Sequence, residues 1–176
     1  PQEIDDRGLV SSLKALVDQY NESAGGRTAF SIEAGDELEE LRADPALIPG
    51  FVEETIRWAT PVQQFVRSAT QDYEIKGRTI RKGDLVYLSY LSANRDEDAF
   101  PDPFRFDIHR SPNRHVGFGF GGHICLGIHL ARMEMNALWN AIIPRLRQVE
   151  LAGAPRMAES EFVCGPKSVP IRFAMD

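Results

Sequence analysis

The chain has 176 residues, 43% hydrophobic and 26% charged, with 20 lysines and arginines against 26 aspartates and glutamates for a net charge of −6. That length predicts one compact unit, the composition is globular and not disordered or fibrous, and the acidic balance argues against a nucleic-acid partner, which would need a basic face. No apolar run reaches the ~18 residues of a membrane span, the opening PQEIDDRGLV lacks the basic-then-apolar order of a secretory leader, and two cysteines, Cys125 and Cys164, are too few for a disulfide framework and suit a reducing cytoplasm.

Residues 1–35 read apart from 36–176. Leu9, Leu13, Leu16, Val17 and Tyr20 recur at helical spacing, Gly25–Gly26 end that helix, and Thr28–Ile32 suit a short extended piece. A charged helix is expected over Asp36–Arg42, a turn over Asp44–Pro49, and a helix over Gly50–Trp58 that stops before Pro61. Short strands follow at Phe65–Ala69, Tyr73–Ile75, Arg78–Ile80 and Leu85–Tyr90, punctuated by Gly77 and Lys82-Gly83-Asp84. Ser92–Pro112, charged and broken by prolines, reads as a long irregular meander of the kind that usually carries function. A glycine-rich segment, Gly117–Gly127, opens a long helix from about Leu126 to Ile143, with Ile128, Leu130, Ala131, Met135, Leu138 and Ile142 as its buried side and Pro144 at its end. Gln148–Leu151, Glu161–Val163 and Val169–Phe173 read as closing strands. The fold class is therefore α+β, small sheets bracketed by helices.

The sharpest feature is Phe118-Gly-Phe-Gly-Gly-His-Ile-Cys-Leu-Gly127, which holds one cysteine, one histidine and four glycines (Gly119, Gly121, Gly122, Gly127), with Gly117 just before. Such glycines let backbone approach a large flat partner and turn back sharply. At the entry of a helix Cys125 meets free N–H groups and the positive helix end, which favour a thiolate. A thiolate so held is a good axial ligand for haem iron. The competing readings are weaker: no lysine and serine or threonine follow the glycines as a phosphate loop requires, His123 and Cys125 have no second ligand pair for zinc, and a cysteine hydrolase lacks a third orienting group. Cys164 and the two tryptophans read as packing residues.

The segment resembles the cysteine-ligand loop of the cytochrome P450 family, F-x-x-G-x-[HR]-x-C-x-G, at Phe118, Gly121, His123, Cys125 and Gly127. Upstream, Glu54-Thr-Ile-Arg57 is similar to the family's E-x-x-R motif, whose i and i+3 side chains share a helix face and can pair. Arg105, in Pro-Phe-Arg-Phe106, falls where the family places a second arginine bridging to that glutamate, with Arg110 as a possible substitute. The phrases Leu88–Arg95 with Asp96, and Gly165–Arg172, resemble bacterial soluble members, the terpineol-hydroxylating branch among them.

The resemblance implies haem b (iron protoporphyrin IX) as cofactor and Cys125 as its proximal, catalytic ligand. It implies Arg67 and His123 as contacts to the propionates, Phe118 beside the cysteine, and Gly119 and Gly127 against the macrocycle. Glu54, Arg57 and Arg105 become the structural support of the loop, and Val62 and Phe65 line a pocket for a small apolar organic substrate or simply pack. The implied activity is monooxygenation, with electrons from a ferredoxin or flavodoxin-type donor that Arg114 and Arg132 could meet. The resemblance covers about Asp36–Asp176, the C-terminal portion of a member more than twice this long. The distal helix with its acid–threonine pair is missing from it: Ala34-Gly-Asp-Glu37 is similar to the start of that helix, but no threonine follows. A haem bound on one side only leaves apolar porphyrin in water. A complementing chain, self-association or a fragment of a longer protein is then expected, the alternative function being a non-catalytic haem-binding or protein-interaction module.

Overall fold

The computed structural model describes residues 37–160 and 162–176. The predicted helix over Leu9–Tyr20 and the extended piece over Thr28–Ile32 lie outside the described residues, as does Glu161. The element order is α1 (Glu37–Ala43), a single 3-10 turn (Pro45–Leu47), α2 (Ile48–Ala59), β1 (Gln64–Ser68), β2 (Tyr73–Ile75), β3 (Arg78–Ile80), β4 (Leu85–Ser89), α3 (Tyr90–Ala93), a second 3-10 turn (Gly121–His123), α4 (Ile128–Ile142), β5 (Leu146–Leu151), β6 (Arg156–Met157), β7 (Pro166–Ser168) and β8 (Ile171–Met175).

The centre of the packing is α2. Its Ile48, Val52 and Ile56 are buried together with Leu41 of α1, Ile108 of the meander and Ile143 just past α4. Phe51 meets Phe106 and Trp139 edge-on, with ring centroids 6.2 and 5.2 Å away, so α2 is clasped by the meander on one flank and α4 on another. Asp44 caps the first 3-10 turn by accepting from the Ala46 N–H at 3.0 Å, and Pro49 sits in the first turn of α2, where its missing N–H costs nothing. Thr60 ends α2 at φ 38°, its hydroxyl donating back to the Arg57 carbonyl at 2.7 Å.

The sheets are four antiparallel pairs, β1–β4, β2–β3, β5–β8 and β6–β7. β2 and β3 fall where the sequence puts them, joined by Lys76 and Gly77, both at positive φ as a two-residue hairpin turn demands. Several boundaries move. Tyr90 does not end β4 but opens α3, because the Ser89 hydroxyl caps that turn through the Ser92 N–H. Val169 and Pro170 precede β8 instead of beginning it, proline having no N–H for a ladder. Val163 makes only an isolated bridge with Val62. On α4 no residue of the expected buried side is fully buried: Leu130 and Leu138 are 53% and 52% exposed, Ile128, Ala131, Met135 and Ile142 are half-buried, and Met135 and Trp139 pack on the core. Between Asn94 and Phe120 there is neither helix nor strand, as the proline-rich reading anticipated.

Candidate functional site

Two consecutive glutamates of α2 anchor the meander and the two ends of the glycine loop that carries Cys125. Glu54 and Arg57, one helical turn apart, are both fully buried and pair bidentately, Arg57 Nε to Oε2 and one Nη to Oε1, each at 2.7 Å. The remaining donors of Arg57 reach the carbonyls of Asn94 (2.8 Å), Pro103 (2.9 Å) and Arg105 (3.1 Å), so all five N–H groups of the guanidinium are satisfied. Glu54 in turn accepts from the Asp107 N–H (2.9 Å), the Asn113 amide (3.0 Å) and Arg110 Nε (3.2 Å). A buried ion pair tolerates loss of water only when satisfied this completely.

The bridging arginine is therefore Arg110 and not Arg105. Arg105 is exposed; its N–H bonds to Asp102 at 3.0 Å, a turn that aims its carbonyl inward to Arg57 and Arg110. Arg110 returns five residues later with its side chain only 7% exposed and also donates to the carbonyls of Pro101 and Asp102. The meander is thus pinned to α2 mostly through its own backbone carbonyls.

From there the chain enters the glycine loop. Asn94, buried, receives the Val116 N–H at 2.7 Å and donates to Thr60 at 3.0 Å, carrying the order of the meander into the loop. A Cβ on Gly117 would stand 2.8 Å from the Ile56 methyl in the core, so only glycine lets the loop lie this close to α2. Gly117→Ala is expected to lower stability by about 1–3 kcal/mol, the usual cost of overpacking, whereas Gly122→Ala, with nothing within 4 Å, should be nearly neutral; urea unfolding of the two variants checks this. Gly119, at φ +79°, turns the chain back, and the Cys125 N–H closes the loop by donating to the Phe118 carbonyl at 2.8 Å. Cys125 is exposed and stands three residues ahead of α4, with Gly127 against it: a Cβ there would lie 3.9 Å from Sγ. The loop also displays bare apolar side chains, Phe120 (82% exposed), Ile124 (53%) and Leu126 (101%).

Glu53 faces away from Glu54. Its carboxylate holds Arg132 of α4 bidentately, Nε at 2.7 Å and Nη at 2.6 Å, and meets His115 Nε2 at 3.1 Å. Because His115 Nδ1 accepts from the Gly117 N–H at 3.1 Å, the proton of the neutral ring sits on Nε2 and points at Glu53. Arg132 also stands over the Phe118 ring, 5.2 Å from its centroid. Burial alone would raise the Glu53 carboxyl, but the bonds from His115 and Arg132 outweigh it and bring it from its ordinary 4.5 to about 2. A carboxyl lowered on folding stabilises above its unfolded pKa and loses that contribution as pH falls through the folded one. The stability gap between the wild type and Glu53→Gln should accordingly be full at neutral pH and close between about pH 4.5 and 2, as measured by urea midpoints across that range.

The other expected site residues are more dispersed. Arg67 is half-buried on β1, its guanidinium 5.2 Å above the Phe65 ring and bonded to the Val66 carbonyl at 3.0 Å. His123 is exposed at the end of the Gly121–His123 turn. Val62 makes a backbone bridge with Val163, and Phe65 packs between Tyr90 and Phe162 at centroid distances of 5.8 and 5.2 Å. Phe118 is half-buried against the core. Arg132, expected as a surface contact, is engaged by Glu53 instead, while Arg114 is exposed. Sequence reasoning missed Glu53, Asn94 and Thr60 altogether; the one available signal was the Glu53–Glu54 doublet, whose side chains leave a helix about 100° apart and so serve different neighbours.

The donor set suits an iron porphyrin better than a bare ion. Iron already held by a porphyrin would need one soft donor from the protein in apolar surroundings, which Cys125 with Phe120, Ile124 and Leu126 offers. Among the described residues no three histidines, cysteines, aspartates or glutamates are grouped as a metal ion would require.

A family model, cytochrome P450, matches residues 39–173. The chain is 46% identical over 174 residues to cytochrome P450-terp of a Pseudomonas species, covering 97% of this chain and 41% of that protein. It is 38% identical to a steroid C26-monooxygenase of Mycolicibacterium smegmatis, with 96% of this chain and 43% of the relative covered. The crystal structure of CYP108D1 from Novosphingobium aromaticivorans superposes with a TM-score of 0.76 at 42% identity, over 94% of this chain and 38% of that one. The chain thus spans about two-fifths of the length of the curated relatives it matches, 41% and 43% in these two cases, and the mixed helices and small sheets are those of the matched fold.

Proposed function

The chain belongs to the cytochrome P450 family, and from that premise we propose that it is the thiolate-bearing C-terminal part of a monooxygenase placing one oxygen atom of O2 in a small apolar organic substrate. The observation that carries this reading is Cys125, an exposed thiol whose N–H is tied to the Phe118 carbonyl at 2.8 Å within a loop braced from α2 on both sides. Haem b, when bound, supplies dioxygen activation, the thiolate pushing electron density toward O–O cleavage.

The chain's own residues divide the remaining work. Cys125 would hold the haem iron through its sulfur, and Phe118, half-buried at the start of the loop, would limit water there. Arg67 would offer its guanidinium, and His123 a ring N–H, to the two propionates. Val62 and Phe65 would line the substrate pocket, the role that family membership suggests for them. Electrons would come from a ferredoxin or flavodoxin-type donor in the cytoplasm, with Arg114, which is exposed, as the proposed contact. No helix among the described residues is long and apolar enough to cross a membrane.

Hemin titrated into the purified chain tests the proposal. One equivalent should be retained, and the reduced carbon monoxide complex should show the long-wavelength Soret band of a thiolate ligand. No retained haem, or a band at the position of a nitrogen-ligated haem, would overturn it. Retention without substrate oxidation would identify a haem-binding module in place of an enzyme.

A further inference from the structure

Glu53 and Glu54 are neighbours in sequence yet hold different parts of the chain. The bonds of Glu54 and Arg57 end at Asn113. Those of Glu53 begin at His115 and Arg132, one residue on each side of the glycine loop. We propose that Glu53, His115 and Arg132 form a clamp that positions Cys125, acting independently of the Glu54–Arg57–Arg110 hub; its consequence for haem rests on the function proposed above.

Three observations carry it. The contacts run without a gap from Glu53 to Arg132, from Arg132 to the face of Phe118 at 5.2 Å, and from the Phe118 carbonyl to the Cys125 N–H at 2.8 Å. His115 has a side chain only 2% exposed, and both ring nitrogens are used, one holding the loop backbone at Gly117 and the other Glu53. Finally, the Arg132 contact is a two-pronged fork, which fixes orientation as well as distance in a way a lysine cannot reproduce. Glu53, His115 and Arg132 are positioning residues, since none of them is placed on the haem.

Amide hydrogen exchange on the full chain without cofactor tests the clamp, using Glu53→Gln and the charge-conserving Arg132→Lys. The Cys125 amide should exchange roughly tenfold faster in each variant, the size expected for losing one charge-assisted hydrogen bond. The Val116 amide, held by Asn94, should keep its rate. The double variant should be no worse than the single ones, because both break the same contact. Equal acceleration at Cys125 and Val116 would mean general destabilisation and would overturn the proposal, as would an unchanged Cys125 rate. Should Glu53→Gln fail to fold, Arg132→Lys decides, since it keeps the charge pair. With haem added, both variants should move part of the thiolate Soret band toward that of a neutral thiol. If the exchange pattern appears but the wild type takes up no haem, the clamp stands and the proposed function fails. If the wild type gives the thiolate band while exchange at Cys125 is indifferent to both substitutions, the clamp fails alone.

Discussion

Arg57→Leu is expected to cost about 3–5 kcal/mol of folding stability, the range for breaking a buried ion pair by removing one partner. Glu54, with no exposed surface, would lose its bidentate partner and be left with Arg110, and three backbone carbonyls, of Asn94, Pro103 and Arg105, would lose their donor at once. Because those carbonyls shape the meander, the loss should spread to the glycine loop through Asn94 and its bond to the Val116 N–H. Urea unfolding, with the midpoint falling at an unchanged slope, measures the loss. The two meander arginines supply the internal control. Arg110→Ala removes a side chain only 7% exposed that reaches Glu54 and should cost about 1–3 kcal/mol. Arg105→Ala removes an exposed side chain and should stay within about 0.5 kcal/mol. The reverse order would return the bridging role to Arg105.

Cys125→Ser is expected to do the opposite: abolish the thiolate signature while leaving the fold intact. Cys125 is exposed, and the bond that closes its loop uses its backbone N–H, which serine retains. Stability should therefore change by no more than about 0.5 kcal/mol. A serine hydroxyl does not ionise near neutral pH and is a poor soft donor, so the long-wavelength Soret band of the reduced carbon monoxide complex should vanish. Cys164→Ser serves as the control, with the band unchanged. Circular dichroism and hemin titration of the two variants separate loss of the ligand from loss of structure.

These two experiments address features that were unequally legible. The E-x-x-R pair and the cysteine loop could be read because each is a fixed spacing that secondary structure translates directly into proximity. β2 and β3 could be read because Gly77 marks their turn between β-rich residues. What spacing could not say was which partner an irregular backbone brings home. Arg105 and Arg110 lie five residues apart on a meander without helix or strand, and the choice between them depends on a turn at Asp102. Nor could periodicity say which part of α4 packs inward: the expected stripe held Met135 together with Leu130 and Leu138, but Met135 alone of these packs on the core, with Trp139, which Phe51 of α2 meets at 5.2 Å. Glu53 carried no motif. Its role emerges only once α2, the loop before Cys125 and the helix after it have been brought together, since its partners lie 62 and 79 residues away.

X-ray absorption at the iron edge of the hemin-loaded chain asks directly whether the Cys125 sulfur binds the metal. A single sulfur scatterer at bonding distance, present in the wild type and missing from Cys125→Ser, is the predicted result. A first shell of nitrogen and oxygen alone in the wild type, or a sulfur that survives the substitution, would contradict it.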